Sequence, residues 1–297
     1  MNMDEMLLGG EYASHLTDAD LELLVTVTGR AEAGPRARGA AAGLRHEPGG
    51  LAGLLADPRV MRAVLGAPAA WDAPAPVSPF CVFAVAVHGA AAELASLGYV
   101  PERTGMRQRV PVFDAPALRD FLGEPARRLF LAELLASFTT VASGRYQVQA
   151  GGRTRTRRFS ELDPARLAGL LDAVPSQERP GVYRRLGDVS LFLAGVFPDY
   201  AAAHAFGPVD AARLLRAAGV PPAEAGPLVA APAIELLEHV GARWYRVARD
   251  LAPVRTERLN VVAEVADRFR AARRVLNHIT DRYLLPQSAS WLPRPGF

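Results

Sequence analysis

Leu186-Gly187-Asp188-Val189-Ser190-Leu191-Phe192-Leu193-Ala194-Gly195-Val196-Phe197 is the stretch on which the fold turns. Apolar residues stand on every side of the helix that these residues would form, and a helix apolar all round belongs in the middle of others. Pro198 ends it. The fold expected is therefore mainly α, a helical bundle around this buried segment with one small β-hairpin. Asp188 is the exception within the segment. Burying a carboxylate is costly unless it is paired. Arg184, one turn earlier at i,i+4, is the partner expected for a buried ion pair, with Arg127 and Arg128 of a neighbouring helix as the other candidates.

Outward from this segment, helical punctuation dominates. Thr17 precedes Asp18, Asp20 and an apolar run from Leu21 to Val27, and Gly29 follows, which predicts a helix over 18–28. Asp57-Pro58 and Ser78-Pro79 each place a capping residue before a helix-starting proline, and Asp114-Ala115-Pro116, Glu124-Pro125 and Asp163-Pro164 open further helices. Further helices are expected near 49–56, 209–218, 223–230, 233–250 and 255–285. The segment 30–50, rich in Gly, Ala and Arg, reads as a flexible linker. The period changes once. From Arg145 to Phe159 the chain alternates about Ala150-Gly151-Gly152, which predicts a hairpin with strands near 145–149 and 153–159. The whole chain, 1–297, reads as a single mainly helical domain, with a sub-division available at the hairpin into 1–143 and 160–297.

The 186–197 segment, together with Phe130-Leu131-Ala132-Glu133-Leu134-Leu135 and the final helix, resembles a set of uncharacterised bacterial helical proteins with an LGDxxLFxxGxF-like pattern. The resemblance implies a shared helical fold and brings no activity with it.

Composition excludes more than it suggests. All 34 basic residues are arginine, and the net charge is +3. Without lysine there is no Walker-type phosphate loop, no protein kinase and no Schiff-base chemistry. A single cysteine, Cys81, leaves no intramolecular disulfide and no CxxC site. No GxSxG, HExxH or GxGxxG sequence occurs. The acidic start and the interruption of the 79–97 apolar run by His88, Gly89 and Glu93 point to a cytoplasmic protein with no membrane partner.

Two arginine-rich segments are the candidate partner-binding sites. In the hairpin, Arg153, Arg155 and Arg157 fall on one strand face, and no acid occurs between Arg145 and Glu161. Planar guanidinium groups bind carboxylates or phosphates bidentately. Arg103, Arg107 and Arg109 lie in the segment 99–113, which reads as a long loop anchored by Val110, Val112 and Phe113. The final helix carries an a/d seam of Val262, Val265, Phe269, Ala272, Leu276, Ile279 and Tyr283, suited to internal packing or to a homodimer. The tail ending in Trp291 and Phe297 offers itself to the same dimer.

The reading that follows is a non-enzymatic interaction or regulatory protein without a cofactor, docking an acidic protein partner through hairpin and loop. A helical metal-dependent or small-molecule enzyme using Glu235, His239, His278 and Asp281 is the alternative. No metal is expected, because the six histidines show no paired Glu-x-x-His motif. A nucleic-acid binder is the third reading, weakened by the small net charge and the lack of a recognisable binding motif.

Overall fold

The computed structural model describes residues 3–66, 77–105, 108–150, 153–203, 206–285 and 292–293. It is mainly α, with two small antiparallel two-stranded sheets among the described residues. The chain divides into two compact units. The first comprises Met1–Gly98, Asp114–Thr139 and Ile279–Leu292, the second Tyr99–Phe113, Thr140–His278 and Pro293–Phe297. One boundary falls close to the β-hairpin, but 99–113 and 279–292 each join the unit on the far side of it.

Unit 1 contains α1 (Met3–His15), α2 (Asp18–Val27), α3 (Pro35–His46), α4 (Leu51–Leu55), α5 (Pro58–Leu65), α6 (Pro79–Leu94), α7 (Ala115–Gly123) and α8 (Pro125–Ser137). Its centre is α6, buried continuously from Phe80 to Ala90. Capping locks its start to α2. Thr17 Oγ1 accepts from Asp20 N at 3.1 Å, and Asp20 Oδ2 accepts from Thr17 N at 2.8 Å, a reciprocal box. The second Asp20 oxygen accepts from Ser78 N at 2.8 Å, where α6 begins. Gly29 ends α2 with φ 73, the left-handed position that favours glycine. The 30–50 segment is not a linker. It holds α3, whose Ala37, Ala41 and Leu44 form a narrow buried stripe at helical spacing, begun by Pro35. Small side chains made that stripe hard to see as a period.

Unit 2 contains β1 (Val100–Gly105), β2 (Gln108–Val112), β3 (Ser143–Ala150), β4 (Arg153–Ser160), α9 (Pro164–Ala168), α10 (Arg179–Val196), α11 (Pro198–Ala203), α12 (Pro208–Ala217), α13 (Pro222–Val229), α14 (Ala233–Leu251), α15 (Glu257–Asp267) and α16 (Phe269–Ile279). Leu186 to Val196 of α10 are all buried, and α10 packs along α14. A Cβ on Gly195 would lie 2.7 Å from Leu276 Cβ and 3.2 Å from Arg273 O, so α10 and α16 meet almost backbone to backbone. Gly195→Ala is expected to cost about 1–3 kcal/mol through overpacking, read as a lowered urea midpoint. An unchanged midpoint would mean that the contact relaxes freely.

The long helix expected over 255–285 is broken. Arg268, at φ −117 and ψ 28, separates α15 from α16, and a π-helical turn follows at Thr280–Leu284. All seven seam residues are nonetheless buried within the single chain. That leaves any homodimer interface to other surfaces. Trp291 and Phe297 lie outside the described residues. Among those described, no helix is long and apolar enough to cross a membrane.

Candidate functional site

The β3–β4 hairpin forms where it is expected, with Ser143 paired to Ser160 and Ala150 to Arg153. Opposed residues of an antiparallel ladder share a face. One face therefore carries Tyr146 against Arg157 and Val148 against Arg155, with Arg153 beyond them. Tyr146 and Phe159 pack at 6.4 Å near the base, and the Tyr146 hydroxyl occupies the space that a Cβ on Gly169 would need, which seats the hairpin on the end of α9. The other face carries Arg145 directly opposite Arg158, with Gln147, Thr156, Gln149 and Thr154 beyond. All five arginines are exposed. Only Arg157 has an acid within ion-pair range, Asp172 at 3.8 Å; Arg145, Arg153, Arg155 and Arg158 pair with no described residue. The cross-strand Arg145–Arg158 pair is unfavourable as it stands.

The 99–113 segment is a second hairpin, not a loop. Val100 pairs with Val112 and Pro101 with Pro111, and the register shifts between Arg103 and Gly105. Two facing prolines argue against a central strand, but in a two-stranded sheet both strands are edges and can carry them. Its expected anchors also change. Phe113 is 77% exposed and Val110 also lies open, whereas Val100 and Glu102 are buried. Glu102 bonds Arg273 Nη2 and, at 2.8 Å, Arg274 Nε, both on α16. Arg273 Nε also reaches Glu238 of α14 at 2.5 Å, and Arg270 joins the same carboxylate at 3.1 Å.

Arg103 belongs to this internal framework rather than to a partner surface. Its side chain is 11% exposed, pairs with Asp199 at 3.2 Å and donates to Val196 O at 2.9 Å. Its backbone N donates to Asn277 Oδ1. Arg109 is exposed, and Arg107 lies outside the described residues. Arg103 therefore does not share the exposed surface that Arg153, Arg155 and Arg157 form.

Asp188 finds Arg184, as its spacing implied, at 3.1 Å. Its second partner has no sequence signal: Tyr245 of α14, 57 residues away, donates its hydroxyl to the same Oδ1 at 2.8 Å. Burial, reinforced by the Asp188 charge, raises the Tyr245 phenol well above its ordinary range. Arg127 and Arg128, the other candidates for Asp188, bond elsewhere: Arg127 sits over the Phe121 ring and donates to Asp120 O, and Arg128 Nη1 donates to Gly123 O.

The residues of the metal alternative do not converge. Glu235 and His239 line a groove of about 420 Å³ on α14 with Glu238, Asp267, Phe269 and Arg270. Glu238 is held by Arg270 and Arg273, and Asp267 by Arg246. His239 Nε2 has no hydrogen-bond partner, and burial followed by the nearby Arg243 lowers its pKa. That favours a neutral imidazole without supplying ligands beside it. His278, on α16, and Asp281, in the π-helical turn, bring no third ligand to that groove. Among the described residues, the ligand atoms that do converge belong to Glu11, His15 and Glu133, none of them singled out from sequence. Glu11 and His15 are four apart on α1, a signal that was legible; Glu133 lies more than a hundred residues away. No protein-family profile, curated protein or solved structure matches this chain.

Proposed function

We propose that this is a non-enzymatic interaction protein of the cytoplasm, regulatory in kind, that docks an acidic protein partner through the β3–β4 hairpin. One observation carries the reading: four exposed guanidinium groups on a single two-stranded element have no acid among the described residues to neutralise them. Elsewhere in the chain arginines are mostly engaged, as Arg45 with Asp18, Arg185 with Glu161 and Arg246 with Asp267 illustrate. A carboxylate bridging Arg145 and Arg158 would also remove the like-charge opposition across the strands. Val148, half-buried beside the ridge, offers apolar contact that a purely solvated edge does not need. The reading narrows the docking surface to β3–β4, since Arg103 is consumed internally.

The test uses fluorescent poly-glutamate and random-sequence duplex DNA as probes, near about 150 mM salt to match physiological screening. The expected result is saturable poly-glutamate binding that weakens as salt rises. Replacing Arg153, Arg155 and Arg157 together by glutamine is expected to lower that affinity at least about tenfold while leaving the thermal midpoint unchanged, because exposed charges add little to stability. Retained binding by the triple variant would remove the hairpin from the function. Submicromolar DNA binding, falling linearly in log affinity with log salt, would instead identify nucleic acid as the partner.

A further inference from the structure

We infer that Glu11, His15 and Glu133, in unit 1, form a binding site for one divalent first-row transition ion, of which Zn²⁺ is the representative. One ligand atom from each of the three lies within 4.8 Å of the others. Glu11 and His15 stand at i and i+4, on one face of α1, where successive turns place side chains above one another. Glu133 comes from α8, with its Oε1 2.9 Å from His15 Nε2.

The His15 ring is not loose. It stacks on Phe80 with centroids 4.6 Å apart and planes at 30°, and Phe80 is itself buried at the start of α6. A ring clamped on one face keeps its Nε2 directed at the carboxylates, the pre-positioning that a metal ligand needs. One imidazole nitrogen and two carboxylate oxygens suit Zn²⁺ and its first-row neighbours. Ca²⁺ and Mg²⁺ take oxygen ligands and gain nothing from the nitrogen. Three protein ligands leave a fourth tetrahedral position for water, and the partial exposure of His15 admits it.

The competing account is a plain His15–Glu133 ion pair with Glu11 beside it. Geometry separates the two by a small movement. Zinc–nitrogen and zinc–oxygen bonds near 2.0–2.2 Å put tetrahedral ligand atoms about 3.3 Å apart, so the Nε2–Oε1 contact opens by about 0.4 Å and the Glu11 oxygen, within 4.8 Å of the other two, closes by at most about 1.5 Å. The consequence of binding is local: the ion joins α1 to α8 by coordination bonds in place of one half-exposed hydrogen bond.

The experiment is titration calorimetry of ZnCl₂ into the full chain, stripped with chelator and dialysed, with thermal melts alongside. The expected result is one Zn²⁺ per chain at micromolar affinity, with a melting-temperature rise of about 5 °C at a hundredfold excess over Kd. His15→Ala and Glu133→Gln should each weaken binding at least about tenfold and abolish the rise, while millimolar Mg²⁺ should not compete. Glu11→Gln, at a half-buried position of α1, serves as the third variant should either of the others lower the metal-free melting temperature, and it should weaken binding in the same way. Absence of saturable binding up to about 100 µM Zn²⁺ would overturn the inference. So would full-strength binding in all three variants, which would place the ion elsewhere.

Discussion

Asp188→Ala is expected to destabilise the chain by about 3 kcal/mol, at the lower edge of what breaking a buried ion pair costs. Asp188 Oδ1 accepts from two groups at once, Arg184 Nε at 3.1 Å and Tyr245 Oη at 2.8 Å. Removing the carboxylate takes an acceptor from a completely buried phenol on α14 and the countercharge from a guanidinium on α10. The Arg184 side chain is 32% exposed and recovers part of its hydration, which keeps the cost off the top of the range. Tyr245→Phe removes the hydrogen bond to Asp188 and should cost about 1 kcal/mol. The double variant should cost less than the sum of the two, because both changes break the same bond, and a urea-melt cycle measures the difference. A loss below about 1 kcal/mol for Asp188→Ala would show that the pair is incidental to the packing of α10 on α14.

The second large effect is acid lability through His88. Its imidazole is buried beside Tyr12, with Tyr12 Oη and His88 Nε2 3.1 Å apart. Burial, helped by the Arg128 charge, lowers its pKa to about 3 from the ordinary 6.5. The unfolded chain therefore binds a proton below pH 6.5 that the folded chain refuses until about pH 3. The contribution is complete above pH 6.5, falls by about 1.4 kcal/mol per pH unit below it, and amounts to about 2 kcal/mol lost at pH 5. His88→Gln retains a hydrogen-bonding partner for Tyr12 but cannot titrate. Its urea stability should change less between pH 7 and 5 than that of the parent, by about 2 kcal/mol. Parallel pH profiles for the two proteins would rule His88 out as the origin.

How much of the molecule is legible in its sequence depends on how far each signal reaches. Thr17 with Asp20, Asp57 before Pro58 and Ser78 before Pro79 announce helices because capping bonds close within three residues. The alternation from Arg145 to Phe159 announces β3–β4 because strand faces repeat every second residue. Arg184 announces itself to Asp188 because four residues make one turn. The missing lysines and the lone cysteine exclude whole chemistries without any structure at all. The hairpin β1–β2 escapes because Pro101 and Pro111 look like strand breakers until their edge position is known.

Beyond one turn of helix or one step of strand, only packing decides. Glu11 and His15 are near neighbours on α1, but Glu133 joins them solely because α8 lies beside α1. Tyr245 reaches Asp188 because α10 and α14 run along one another, and Arg103 is withdrawn from the surface because its hairpin docks where Asp199 and the Val196 carbonyl wait. The sequence by itself determined the helices that begin at a cap, the basic hairpin, the i,i+4 ion pair and the excluded chemistries, all fixed by interactions between residues a few positions apart. The tertiary structure alone decided the division into two units, the convergence of distant ligands and which arginines remain free, since each depends on which faces exclude water together.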